Sequence, residues 1–392
     1  MKKDGVLSFF VVLMLLAVAL TAEAQQPVKI GLIMPYSGQF ADASLQMDNA
    51  IKLYGRKYGD TVAGRKLDFV RRDTGGAPDV AKRHAQELVV RDHVDILAGF
   101  VITPEALSAA IVSTEAKKFM VVMNAATAII TTKSPYMART SVTLPQNLEV
   151  FGTWAYKNGV KKTYTLVSDY GPGIDAEGAF QRAFKDAGGQ IVGAVRIPVA
   201  NPDFYPFLQR VKDSKPEAMF VFIPGGVQPA AFGKALVDLG IDTRKTKVLG
   251  QGEISEENAL KVMGDAGLGM ITAFHYDYNH KSKTNADFVG AYKAVYGRNP
   301  DFFSIGGWDG MHLIYEALKK TRGKADGESL IAAARGMKWE SPRGPISIDP
   351  ETRDIIQTVY IRRVEKVGGQ LVNVEIDKVE NVKDPVKERM KK

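Results

Sequence analysis

No cysteine occurs in the 392 residues, which removes disulfides, thiolate metal sites, cysteine nucleophiles and the lipid-modified cysteine that tethers some exported proteins. Long apolar stretches are scarce as well. The longest, Val6 to Leu20, has 15 residues, short of the roughly 20 that a spanning helix needs. Histidine is rare, and the five present (His84, His93, His275, His280 and His312) include no pair at zinc-helix spacing with a Glu between, so no metal site is expected. Neither Gly-x-Ser-x-Gly nor a P-loop occurs, so the usual hydrolase nucleophile and a nucleotide cradle are not encoded.

What is present begins with a leader. Lys2 and Lys3 precede the apolar run, and Ala22-Glu23-Ala24 follows it, the pattern of a secretory signal peptide cleaved after Ala24. Residues 1–24 are therefore assigned to the signal and the mature chain to the periplasm. The composition is ordinary for a globular protein, 45% hydrophobic and 24% charged. A chain of this length exceeds the ~250–300 residues at which single cores stop growing, so two lobes are expected. The net charge of +8 is dispersed except for Lys383, Lys387, Arg389, Lys391 and Lys392, which read as a frayed, solvated end. With an export signal in front, that charge points to mild attraction for anionic solutes and not to nucleic acid.

From Val28 the chain alternates short apolar runs with segments of helical period, a βαβα rhythm. Strands are expected at Val28 to Met34, Leu67 to Arg71, Val94 to Ala98, Phe119 to Met123, Thr163 to Val167, Ile191 to Pro198, Ala218 to Ile223 and Lys247 to Leu249. Their continuous apolarity suits parallel strands covered on both faces. Helices are expected at Ala43 to Tyr58, with a core stripe of Met47, Ala50, Ile51, Tyr54 and Tyr58. Further helices fall at Asp79 to Val90 with Asp79 as N-cap, Asp175 to Ala187, Asn285 to Tyr296 and Trp308 to Lys320. Ile355 to Lys366 and Leu371 to Ile376 read as a hairpin about Gly368-Gly369. Glu256 and Glu257 are neighbours on a helix and are expected on its solvated face.

Gly171-Pro172-Gly173-Ile174-Asp175-Ala176 meets the loose dinucleotide pattern, but the next strand, Val195 to Val199, ends without the ribose-binding acid. No cofactor is expected.

Several segments in order, Lys29 to Gly38, Gly64 to Asp73, Asp95 to Gly99, Tyr136 to Thr140, Ser168 to Gly171 and Gly250 to Gly252, resemble the leucine-binding branch of the type I periplasmic binding proteins. These are the receptors of branched-chain amino acid ABC importers. The resemblance implies an α/β fold of two doubly wound, flavodoxin-like parallel-sheet lobes joined by a three-crossing hinge. It places residues 25–143 plus 274–354 in the N-terminal lobe and 144–273 plus 355–392 in the C-terminal lobe. The ligand would lie between them, a small carboxylate near helix N-termini, and the partner would be a membrane permease served by a monomer.

The resemblance also implies site residues. Thr103 matches a hydroxyl donor to the ligand carboxylate, with Pro104 removing one backbone donor that the family's Gly offers there. Ala126 and Thr127 match a second donor loop, Tyr36 closes the first matching segment, and Tyr170 matches an aromatic that covers the ligand. Glu253 either receives a ligand ammonium or is the first-turn acid of the next helix. Tyr276, with His275, Tyr278, Phe302 and Phe303, brings rings to segments that border the cleft in relatives. They point either to an aromatic carboxylate in place of an amino acid or simply to core packing. A sensory module for a membrane receptor and an exported hydrolase are the rival readings, and no activated nucleophile is encoded for the second.

Overall fold

A computed structural model describes residues 26–243 and 245–391, so the expected leader, residues 1–24, lies outside the described residues. The first half runs β1 (Val28–Met34), α1 (Ala41–Tyr58), β2 (Thr61–Val62), β3 (Arg65–Asp73), α2 (Pro78–Val90), β4 (Ile96–Gly99), α3 (Thr103–Glu115), β5 (Phe119–Val122) and β6 (Met137–Arg139). The sheet order is β2-β3-β1-β4-β5-β6, parallel except for the short β2. The second half runs α4 (Leu144–Lys157), β7 (Lys162–Ser168), α5 (Gly171–Asp186), β8 (Gln190–Ile197), α6 (Tyr205–Ser214), β9 (Ala218–Phe222), α7 (Gln228–Asp238), β10 (Lys247–Gln251), α8 (Glu257–Met263) and β11 (Ile271–Phe274).

The chain then returns with α9 (Lys283–Tyr296), α10 (Phe302–Lys320) and α11 (Gly327–Ala334) to cover the first sheet. It finishes with β12 (Lys338–Ser341), β13 (Gly344–Ile348), β14 (Ile355–Val367), β15 (Gln370–Val382) and α12 (Pro385–Met390). The second sheet is ordered β12-β13-β14-β11-β10-β9-β7-β8, with β15 hairpinned onto β14. In both sheets the five parallel strands follow the order second, first, third, fourth, fifth, so each has a switch point beside its first strand, where loops diverge and a ligand can enter.

The eight strands expected between Val28 and Leu249 form with ends shifted by no more than two residues, and the expected hairpin forms with its second strand running on to Val382 instead of Ile376. Helix starts differ more. Asp79 is not an N-cap: Ala77 holds that position and Pro78 opens α2, its fixed φ suiting the first turn. The helix expected from Asp175 begins at Gly171, since a Cβ at Gly173 would run into Ser168 O and the strand passes directly into the helix. α10 begins at Phe302 and not Trp308, capped by reciprocal bonds between Asp301 and Ser304. Gly306 and Gly307 belong to that helix because its backbone lies against Met123 and Met47. Tyr58, expected in the core stripe, is 51% exposed at the end of α1, stacked on Tyr54 and Lys57.

The basic tail is also corrected. Lys387 is only 5% exposed, its ammonium bonded to Thr131 Oγ1 and Asp354, while Arg389 grips Glu149 at 2.7 and 2.9 Å. α12 is a docked helix capped by Asp384; Lys392 lies outside the described residues.

The connections 140–143 and 275–282, and the turn 349–354 between β13 and β14, are held by three fully buried arginines. Arg139 Nε donates to Asp354 Oδ1 at 2.9 Å, and its Nη1 to the carbonyls of Ala125 and Thr127 at 3.0 and 2.8 Å. Arg343 pairs with Asp309 at 2.8 Å and donates to Ser141 O at 3.0 Å and to Thr140 O. Arg362 pairs with Asp277 and donates to Tyr276 O, both at 2.9 Å, and to Gly252 O at 3.1 Å. Removing one partner from such a pair strands a buried charge, at a cost of about 3–5 kcal/mol. Arg343→Leu is therefore expected to lower unfolding stability by about that amount in urea titration. Lys283→Ala, which breaks an exposed pair with Asp287, should change it by less than ~1 kcal/mol. Equal effects from the two would refute the role given to the buried guanidinium.

Candidate functional site

The crevice between the halves contains a small pocket, at the carboxyl ends of both sets of parallel strands. From the first half, α3 presents its N-terminus, with Ile102 at the cap in extended conformation and Thr103 as the first helical residue. Pro104 supplies no N–H, so the polar work of this turn shifts to the side chain. Thr103 Oγ1 lies 2.8 Å from Thr127 Oγ1. The Thr127 loop is fixed from behind, since Arg139 takes the carbonyls of Ala125 and Thr127.

From the second half, α5 aims its N-terminus at the same hydroxyls. A Cβ on Gly171 would sit 3.1 Å from Thr127 Oγ1 and 3.6 Å from Thr103 Cγ2. The two halves touch here, as Ala128 N–H donates to Asp175 Oδ2 at 2.8 Å. They also meet at Gly226, where a Cβ would stand 3.0 Å from Gln39 O. The crevice is shut. Two helix dipoles thus converge on one hydroxyl pair, an arrangement that favours an anionic group.

The rest of the wall is mostly apolar and includes four aromatic rings. Tyr170, at the N-cap of α5, stacks near Phe222 with centroids 6.3 Å apart, and Phe40 and Phe303 close the other sides. Glu253 lies in the short turn Gly252–Ser255 that follows β10. Its Oε2 accepts from Gly225 N–H, and its own N–H donates to Gln251 Oε1 at 3.0 Å. It is not the first-turn acid of α8, which starts at Glu257. A Cβ on Gly225 would stand 3.1 Å from the Phe303 ring and 3.2 Å from Glu253 Oε2, so that corner stays open only with glycine.

Of the residues expected from sequence, the cavity gathers Thr103, Ala126, Tyr170 and Glu253, with Thr127 joined through its hydroxyl. Tyr36 and Tyr276 stand elsewhere. Tyr36 packs on the first-half core with its hydroxyl buried beside the Arg71–Asp48 pair. Tyr276 is 1% exposed and donates to Asn285 Oδ1 at 3.1 Å, because Arg362 draws its crossing segment inward. Phe40, Asn124 and Phe222 were not singled out. Phe40 and Phe222 lie past or at the carboxyl end of a parallel strand, a position that by itself marks ligand-facing residues in such sheets. Glu256, expected on a solvated face, caps α8 and lines a neighbouring crevice cavity with Gln46 and Asp301; burial pushes its carboxyl well up. Among the described residues, no group of His, Asp and Glu gathers as metal ligands would.

Burial pushes the Glu253 carboxyl up to about 8, against the Gly225 N–H that favours its charged form. Burial, and then the charge of Glu253, raise the Tyr170 hydroxyl. A carboxyl whose folded pKa is raised contributes stability that is complete below its ordinary range and disappears as pH rises through the folded value. Glu253→Gln has no charge to bury. The melting temperature of the ligand-free wild type is therefore expected to fall relative to that of Glu253→Gln between about pH 5 and about pH 9. A pH-independent difference would exclude a buried, titrating Glu253.

Comparison with known proteins places this geometry. The periplasmic binding protein family matches residues 27–370. A Leu/Ile/Val-binding protein homolog of Brucella melitensis is 42% identical over 374 residues, 94% of this chain and 96% of its own. A solute-binding protein of an ABC transporter from Rhodopseudomonas palustris BisB5, in complex with 3,4-dihydroxybenzoic acid, is 55% identical with a TM-score of 0.90, covering 92% of this chain and 99% of that one. Another from R. palustris HaA2, in complex with p-hydroxybenzoic acid, is 41% identical with a TM-score of 0.88 and the same coverage. With both sheets in flavodoxin-like order and a shut crevice facing two helix N-termini, the chain belongs to the periplasmic binding protein family, among the solute-binding proteins of ABC transporters.

Proposed function

We propose that the protein captures an aromatic carboxylate in the periplasm and hands it, chemically unaltered, to the permease of an ABC importer. The observation that carries this reading is the cavity itself: a hydroxyl pair at two converging helix N-termini, walled by the rings of Phe40, Tyr170, Phe222 and Phe303. The carboxylate sits against Thr103 and Thr127, and the flat rings face the ligand ring, each offset or edge-on pair contributing ~0.5–1.5 kcal/mol. The benzoate-type ligands of the two R. palustris proteins support the same assignment.

The working parts are two lobes, residues 25–143 plus 274–354 and 144–273 plus 355–392, acting in a monomer released from its leader behind Ala24. Ligand touches both lobes only when they close, and that difference in affinity shifts the population toward the closed form the permease reads. A second reading, an aliphatic amino acid, draws on the name of the Brucella relative and on Glu253 as a receiver for an ammonium group.

Thermal-shift titration separates the two. Benzoate and 4-hydroxybenzoate are expected to raise the melting temperature, since ligand at about 100 times its dissociation constant stabilises by about 2.7 kcal/mol. Leucine and valine should leave it unchanged. A shift with leucine and none with the aromatic acids would reverse the assignment. N-terminal sequencing of protein from a periplasmic extract should begin at Gln25; a chain starting at Met1 would rule out the processing step.

A further inference from the structure

We propose that Glu253, held by the backbone N–H of Gly225, reads a hydroxyl group on the ligand ring, so that the preferred ligands are hydroxylated aromatic carboxylates and not benzoate itself. This rests on the aromatic-carboxylate reading above and refines it.

The polar groups of the cavity are divided between its two sides. The first half supplies hydroxyls and a helix N-terminus at Thr103 and Thr127. The first half also supplies Asn124, and the second half supplies the N-terminus of α5, the side chain of Tyr170 and the carboxyl of Glu253. No Lys, Arg or His lines the cavity, and Glu253 is its one carboxylic side chain. The carboxylate of the ligand is thus drawn to the helix termini, where the dipoles favour negative charge. The Glu253 carboxyl accepts one hydrogen bond, from Gly225 N–H. A carboxyl has room for several more, and a lone buried carboxyl without donors is costly.

A benzoate ring offers that corner only C–H groups. A ring hydroxyl offers an O–H to the carboxyl and an oxygen that a protonated carboxyl can donate to. Burial, which holds Glu253 protonated near neutral pH, removes any demand for a positive charge on the ligand. An α-ammonium fits less well, because it sits one carbon from the ligand carboxylate and leaves the four rings without a flat partner. The absence of a side chain at Gly225 keeps this corner open between Phe303 and Glu253.

A site built to bond a hydroxyl rejects the analogue that lacks it, because its own buried groups are then left unpaired. Isothermal titration of the full mature protein with benzoate, 3-hydroxybenzoate, 4-hydroxybenzoate and 3,4-dihydroxybenzoate is the test. At least one hydroxylated acid is expected to bind roughly 10- to 100-fold more tightly than benzoate. In Glu253→Leu that ratio should fall to about 1 through loss of hydroxybenzoate affinity, with benzoate affinity held or improved. Glu253→Gln, which keeps an acceptor and a donor, should retain most of the ratio; Glu253→Ala repeats the experiment if the Leu variant does not fold.

Equal affinities for benzoate and every hydroxybenzoate in the wild type would overturn the inference and leave the aromatic-carboxylate reading standing. A hydroxyl preference that survives in the Leu or Ala variant would also overturn it, by assigning the preference to another group. Binding of leucine with no binding of any of the four acids would instead remove the functional reading on which it rests.

Discussion

A guanidinium taken out of water is costly unless it is paired, and among the described residues three are fully buried, close to the segments that join the halves. Arg139, Arg343 and Arg362 are each matched by a buried aspartate, and Arg343 and Arg362 also donate to carbonyls of the connecting segments, at Thr140, Ser141 and Tyr276. Arg139 holds the carbonyls of the Ala125–Thr127 loop, which carries Thr127. Arg362 holds Gly252 O and Ser255 Oγ, the ends of the turn that carries Glu253. The same charges that fix the crossings therefore fix the two loops that meet the ligand. Site geometry and hinge geometry cannot be altered independently.

Around that frame, the crevice separates recognition by chemistry. Charge is handled by backbone dipoles of α3 and α5, which are already oriented before a ligand arrives and need no reorganisation. Shape is handled by rings from four separate segments of the chain, Phe40, Tyr170, Phe222 and Phe303. Closure brings the two contributions together, with Ala128 and Asp175 bonding across the gap, so affinity and conformational change draw on the same contacts.

Much of this was legible in the residues. The continuous apolar runs announce parallel strands covered on both faces, and strand order follows from the βαβα rhythm and the family resemblance. Thr103, Thr127, Tyr170 and Glu253 could be placed because the family resemblance maps them onto loops that follow strands. What escaped was governed by contacts distant in sequence. The Gly306-Gly307 pair reads as a break in a helix, and only the approach of Met123 and Met47 explains it. A run of lysines reads as solvated, whereas Lys387 finds Thr131 and Asp354 in the fold. Tyr276 has the right residue type in the right segment, yet a crossing pulled inward by Arg362 places its ring in the core.

The docking of Lys387 has a temporal consequence. Asp354 is shared by Arg139, early in the chain, and by Lys387, a few residues from its end. The first sheet likewise waits for α10 and α11, and the second for β14 and β15, before its apolar faces and edges are covered. A chain emerging from the ribosome cannot complete either half until nearly all of it has appeared, and contacts of such long sequence separation form slowly.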